Sequence, residues 1–143
     1  MWLFQTDGTL VPFILRLALA IVMFPHGAQK VLGWFGGHGF RGTLGFFTSR
    51  GIPVPLALLA FAAELLGSLG VLVGLFTRVA AFGIACVMVV AIVTVHANVG
   101  FFMNWSGTQK GEGYEYHLLA LGIALALIVG GAGLWSLDAA IAR

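Results

Sequence analysis

The sequence predicts an all-α integral membrane protein, a bundle of four transmembrane helices with a short amphipathic or re-entrant helix between the first and second. Three observations carry this. Apolar residues make up 60% of the 143-residue chain and charged residues only 8%, far from the balance of soluble domains. Long apolar runs recur at spacings that suit helices crossing a bilayer. Phe and Gly are abundant, at 12 and 21 residues, as expected where helices fill lipid-facing space and approach one another closely. The length predicts a single domain over residues 1–143.

The lead, residues 1–9, carries Trp2 and Phe4, which suit the interface, and an Asp7-Gly8 turn. No basic stretch precedes the first apolar run, so that run reads as a retained helix rather than a cleaved signal. It extends over about 11–32. Pro12 is compatible with a first helical turn, whereas Pro25 lies in the interior and should kink the helix. The run ends Phe24-Pro25-His26-Gly27-Ala28-Gln29-Lys30, an unusually polar exit. Residues 33–52 are too polar and glycine-rich to cross, and Thr43–Arg50 within them reads as the short amphipathic or re-entrant helix.

The second span is expected over about 53–76, with Glu64 nearly halfway along. Gly67, Ser68, Gly70 and Gly74 give it a small-residue face, and Gly70-x-x-x-Gly74 is a candidate contact for a homo-oligomer. Thr77-Arg78 makes a tight turn into the third span, about 79–99, which carries His96 near its far end. A second polar loop covers 100–113, and the fourth span, about 114–130, opens with Tyr-Glu-Tyr-His. Both termini then lie on one side, side A, and both longer loops on the other, side B. The positive-inside rule does not orient the chain: Lys30, Arg41, Arg50 and Lys110 on side B face Arg16, Arg78 and Arg143 towards side A.

Composition also excludes functions. A net charge of +2 with no basic run gives nucleic acid nothing to bind. The single cysteine, Cys86, rules out dithiol cycling within the chain.

Ionisable groups inside spans are costly and mark function by default. Counting rise along antiparallel helices sets Glu64 level with about residue 21, with Arg16 and His26 roughly 7.5 Å to either side as candidate partners. Arg16, Met23, Gly27 and Lys30 fall within about 60° of one another around the first helix, with His26 about 40° beyond Lys30. This stripe should face the interior, where Glu64 and His96 can meet it. Lys30, His96, Tyr114, Glu115 and His117 all lie towards side B. The bland readings are a register-fixing ion pair for Glu64 and snorkelling for Arg16. His38 and His117 read as interface residues, and Tyr114, Tyr116, Trp34 and Trp105 as aromatic belt. Two histidines could ligate haem or a metal, yet neither HxxxH spacing nor a cysteine ligand supports it, so no metal is assigned. Hydrogen bonding to a quinone carbonyl or proton relay suits His26 and His96 better.

Several ordered motifs resemble those of the DoxX family. They are His26-Gly27-x-Gln29-Lys30, Gly33-Trp34-Phe35-Gly36-Gly37, Gly42-x-x-x-Phe46-Phe47, Pro53 and Glu64. Gly74-Leu75-x-Thr77-Arg78, His96 with Gly100-Phe101-Phe102, and Gly113-Tyr114-Glu115-Tyr116 follow. The resemblance implies a small four-helix protein of bacterial inner membranes. Its relatives include a subunit of an archaeal thiosulfate:quinone oxidoreductase and members of membrane assemblies that handle oxidative stress and thiol balance. His26, Lys30, Glu64, His96, Tyr114 and Glu115 match the family's motifs and are the candidate ligand or proton-relay residues. Arg78 matches too, and with Arg16 is a candidate for a structural ion pair. The function expected is a redox-associated subunit binding a quinone-like ligand among protein partners in a membrane assembly. The alternatives are a scaffold for membrane redox enzymes and an oligomeric permease.

Overall fold

The computed structural model describes residues 1–143 and is entirely helical, without strands. Six α-helices follow in order: α1 (Val11–Val31), α2 (Gly39–Ser49), α3 (Val54–Val73), α4 (Thr77–Ala91), α5 (Glu115–Gly130) and α6 (Leu137–Ile141). α4 continues as a π-helical turn over Ile92–His96. Three helical stretches are long and apolar enough to cross a membrane: Val11–Val31, Val54–Val73 and Thr77–His96, with mean hydropathies of 1.7, 2.2 and 2.5. The chain is a multi-pass membrane protein whose outward apolar side chains meet lipid. α5 is apolar but has 16 residues, a rise of about 24 Å, against about 30 Å of hydrocarbon.

The helices start and stop for local reasons. Pro12 and Pro55 sit in the first turns of α1 and α3, where a missing N–H costs nothing. α1 runs as one helix through Pro25. α3 ends on Gly74, whose φ of 69° lies in the left-handed region, and Phe76 follows at φ 48°. This compact turn makes α3 and α4 antiparallel, with Gly67 and Gly70 lying against Ala80. The Gly70-x-x-x-Gly74 pair expected to join copies is thus occupied within the chain: a Cβ on Gly74 would run into Ser136 and Arg16.

α1 packs antiparallel to α3, α3 to α4 and α4 to α5, and α5 closes back on α1. Leu19, Ala20 and Met23 of α1 meet Val71, Ala81, Ile84, Ala85 and Met88, and Ala120, Ala124 and Leu127 of α5, in one buried core. Five of these eleven residues are alanines, which lets the helices come close. At Gly27 the approach is backbone to backbone. A Cβ there would stand 2.7 Å from Leu65 N and 2.8 Å from Glu64 C, and this contact sets the height at which the side chains of α1 face Glu64.

Candidate functional site

One turn beyond Gly27, Lys30 reaches across to Glu64. Its Nζ lies 2.5 Å from both carboxylate oxygens, forming the molecule's one salt bridge. Glu64 is 2% exposed and the Lys30 side chain 31%, so the carboxylate depends on the lysine while the lysine keeps one side open. Neither Arg16 nor His26, the partners expected from helix depth, takes this place. The rise argument placed Glu64 at about the right height, but the inward polar face of α1 is read by Lys30.

Around Lys30 lies a cavity of about 300 Å³ lined by Gln29, Lys30, Gly36, Gly37, His38, Thr43, Phe46 and Phe47. The 34–38 segment forms its rim because Gly37 presses on α1 so closely that a Cβ would stand 2.2 Å from Gln29 O. Gln29 Nε2 in turn donates to Phe35 O at 3.2 Å. α2 supplies the aromatic wall, with Phe47 and Phe40 both 5.6 Å from the ring of Phe61 on α3. An ammonium group has three N–H donors, of which the carboxylate occupies two. A third is left for a ligand oxygen in the cavity.

The remaining candidates form a second group beside the first. His26 is exposed, with its ring 5.8 Å from that of Tyr116. Tyr116 donates to Met23 Sδ at 3.5 Å and lies 5.0 Å from His117. His117, expected at the interface, is instead 7% exposed, and its Nδ1 has no hydrogen-bond partner. Sequence position alone could not reveal this, because the π-helical turn at Ile92–His96 advances His96 onto it. The two imidazole rings lie 4.1 Å apart at 37°. His96 Nδ1 stands 2.7 Å from Glu112 O. A carbonyl only accepts, so Nδ1 carries the proton and Nε2 is left as a lone pair.

Tyr114 and Glu115 organise the adjoining loop. Glu115 Oε1 accepts from Met103 N at 2.8 Å and Trp105 Nε1 at 3.0 Å. Tyr114 N and Glu115 N, at the start of α5, donate to Gly100 O and Phe101 O, and the Tyr114 ring meets Phe101 edge-on at 5.6 Å. Gly113 is required here, since a Cβ would stand 2.3 Å from Phe102 O.

Arg16 and Arg78 lie at the opposite end, and neither is in an ion pair. Arg16 is fully buried rather than snorkelling. Its guanidinium donates to Ala132 O, Val71 O, Leu72 O, Leu134 O and Trp135 O at 2.8–3.2 Å. Arg78 donates to Ile128 O, Val129 O and Gln5 O. Each arginine thus satisfies the free carbonyls that end a helix, α3 for Arg16 and α5 for Arg78, where the helix dipole also favours a cation. Asp138 does the converse, accepting from Phe76 N at 2.8 Å and Thr77 N at 2.9 Å at the start of α4. These bonds tie the α3–α4 turn, the start of the chain and the segment after α5 together at this end of the bundle.

The DoxX family model matches residues 11–97, which include the Lys30–Glu64 pair, the cavity and the π-helical turn. The chain belongs to the DoxX family. A relative from Bacillus subtilis (strain 168), named "Putative oxidoreductase CatD", is 35% identical over 120 residues, covering 84% of this chain and 78% of its own. No solved structure matches. The motifs that carry the resemblance pair up in space: His26-to-Lys30 with Glu64, Gly100-Phe101-Phe102 with Gly113-Tyr114-Glu115, and Gly74-to-Arg78 with Arg16, Asp138 and the carbonyls that end α5.

Proposed function

We propose that this chain is a redox-associated subunit of the bacterial inner membrane that binds a quinone-like ligand in the cavity beside Lys30 and Glu64. The observation that carries the reading is the buried ion pair, with one ammonium donor left towards a pocket of about 300 Å³ walled by Phe46 and Phe47. A planar ring with carbonyl oxygens fits that chemistry: its faces meet aromatic side chains, and an oxygen accepts from Lys30. The oxidoreductase name of the 35%-identical relative supports the redox association.

In this reading a quinone takes up electrons from a partner enzyme and protons from the protein. Lys30 orients the oxygen, and Glu64 holds and moves a proton beside it, while His26 lies outside the cavity, against Tyr116. Glu115 and Tyr114 hold the loop that rims side B. The whole of residues 1–143 acts as one domain, with α5 as a fourth span and both termini on side A. The hydrogen bonds that tie the side-A end together speak against a permeation path through one copy.

Titration of the purified protein with 1,4-naphthoquinone, followed by tryptophan fluorescence, tests this. Saturable quenching is expected, at least tenfold weaker in Lys30→Ala and unchanged in Leu125→Ala on the far side of the bundle. Absence of saturation in the parent protein overturns the reading.

A second reading, a scaffold for membrane redox enzymes, draws on the exposed aromatics Trp34 and Phe35, 53% and 65% exposed. It expects partners to co-purify with Glu64→Gln and to be lost when residues 34–50 are changed.

A further inference from the structure

Helix α2 carries three hydroxyl side chains, and they are not used alike. Thr48 Oγ1 donates to Leu44 O and Gly45 O at 3.0 and 3.1 Å, and Ser49 Oγ to Phe46 O at 2.8 Å. Bonds of this kind, back to the preceding turn, are the common way to satisfy a helical hydroxyl. Thr43 is the buried one of the three, 7% exposed, and its hydroxyl takes no partner on its own helix or elsewhere. The hydroxyl that is both sealed in and without a partner is Thr77 Oγ1. Thr43 Oγ1 is unpaired but borders open space, and Thr43 lines the cavity beside Lys30. A buried polar group left unpaired is costly, so a ligand oxygen there gains a partner that the chain does not supply. The other polar side chains of the lining have less need of one: Gln29 Nε2 donates to Phe35 O, and His38 is exposed.

We propose that the Thr43 hydroxyl is a second polar anchor in this cavity, which therefore selects a flat ring with oxygens at two positions, one for Lys30 and one for Thr43. This rests on the quinone reading and narrows it, since a ring with a single carbonyl would satisfy Lys30 alone. The two anchors stand on different helices, Lys30 on α1 and Thr43 on α2, with Phe46 and Phe47 in the same lining. Their chemistry differs. An ammonium only donates, and a charged donor makes the stronger bond, so a lone oxygen goes to Lys30. A hydroxyl both donates and accepts. Thr43 can donate to a carbonyl of the oxidised ligand and accept from a phenolic hydroxyl of the reduced one, so one side chain retains both forms.

The test compares two probes on the full chain in lipid nanodiscs: 1,4-naphthoquinone, with oxygens at both ends of its ring, and α-tetralone, with a single carbonyl. Naphthoquinone binding is read from tryptophan quenching, and α-tetralone binding from displacement of the quinone. Thr43→Val removes the hydroxyl at nearly constant volume. It is expected to weaken naphthoquinone about fivefold, the size of one neutral hydrogen bond, and to leave α-tetralone as in the parent. Thr43→Ser keeps the hydroxyl and is expected to bind naphthoquinone as the parent does, which a role in packing alone would not produce. Thr48→Val, the same change where the hydroxyl is already bonded to carbonyls, is expected to alter neither probe. Equal weakening of both probes in Thr43→Val, or weakening of neither, overturns the proposal and leaves the quinone reading standing. Absence of saturation in the parent protein overturns that reading and the proposal with it.

Discussion

Glu64 and Lys30 differ in what each loses if the other is removed. The carboxylate is 2% exposed and has no other hydrogen-bond partner, whereas the lysine is 31% exposed and can turn its ammonium towards water. Breaking a buried pair is costly because it strands a charge, and the stranding is asymmetric here. Lys30→Ala is expected to destabilise the protein by about 3 kcal/mol, the low end of what buried pairs show. Glu64→Ala should cost only about 1 kcal/mol, nearer to a surface pair. The double replacement Lys30→Met/Glu64→Leu should return close to the parental value. Reversible unfolding in mixed micelles measures all three, and equal losses for the two alanine variants would contradict the exposure argument.

At the scale of helices, the fold rests on close contacts and on well-placed helix ends. Gly27→Ala inserts a methyl group 2.7 Å from Leu65 N, so α1 must move away from α3. Overpacking of this kind costs about 1–3 kcal/mol, and it should also lengthen the Lys30–Glu64 contact and weaken quinone quenching. A normal quench with lowered stability would separate the packing role of Gly27 from the site. At the other end, Asp138→Ala removes the acceptor for Phe76 N and Thr77 N, with an expected loss of about 1–2 kcal/mol, as for other helix caps. That loss should appear in thermal unfolding while ligand binding on side B is retained.

These helix ends also mark where sequence reasoning succeeded and where it stopped. Apolar runs give helices directly, so the first span, expected at about 11–32, is found at Val11–Val31, and the second, expected at about 53–76, at Val54–Val73. The inward stripe on the first helix was legible from its phase, since Arg16, Met23 and Gly27 are all buried. Partners were not, because they depend on how far a long side chain extends. Lys30 reaches Glu64, while Arg16 turns to carbonyls of a C-terminal segment that carried no visible signal. His117 was misread for a different reason. A π-helical turn changes the phase of a helix by one residue, and apolar patterning cannot register a single added residue in an otherwise uniform helix.

For the whole molecule, the contrast between the two ends makes a statement about topology. Side A is tied by Arg16, Arg78 and Asp138, which bring Gln5, the α3–α4 turn and the segment after α5 together. Thr6 and Ser136 belong to that end, while Ser106 lies in the loop tied to Glu115 at the other. The fourth span proposed above requires α5 to carry the chain back across the bilayer, although its 16 residues rise only about 24 Å. A short span is accommodated by local thinning of the bilayer or by interfacial side chains reaching outward, at fractions of a kcal/mol per Å. Single cysteines introduced in a Cys86→Ser background decide the matter. In sealed, uniformly oriented vesicles, Thr6→Cys and Ala142→Cys should react with a membrane-impermeant maleimide from the same face, and Ser106→Cys only from the opposite one. Labelling of Ala142→Cys together with Ser106→Cys would mean that α5 does not cross. The C-terminal carbonyls could then no longer reach Arg16 on side A, and the tied end described here would have to be abandoned.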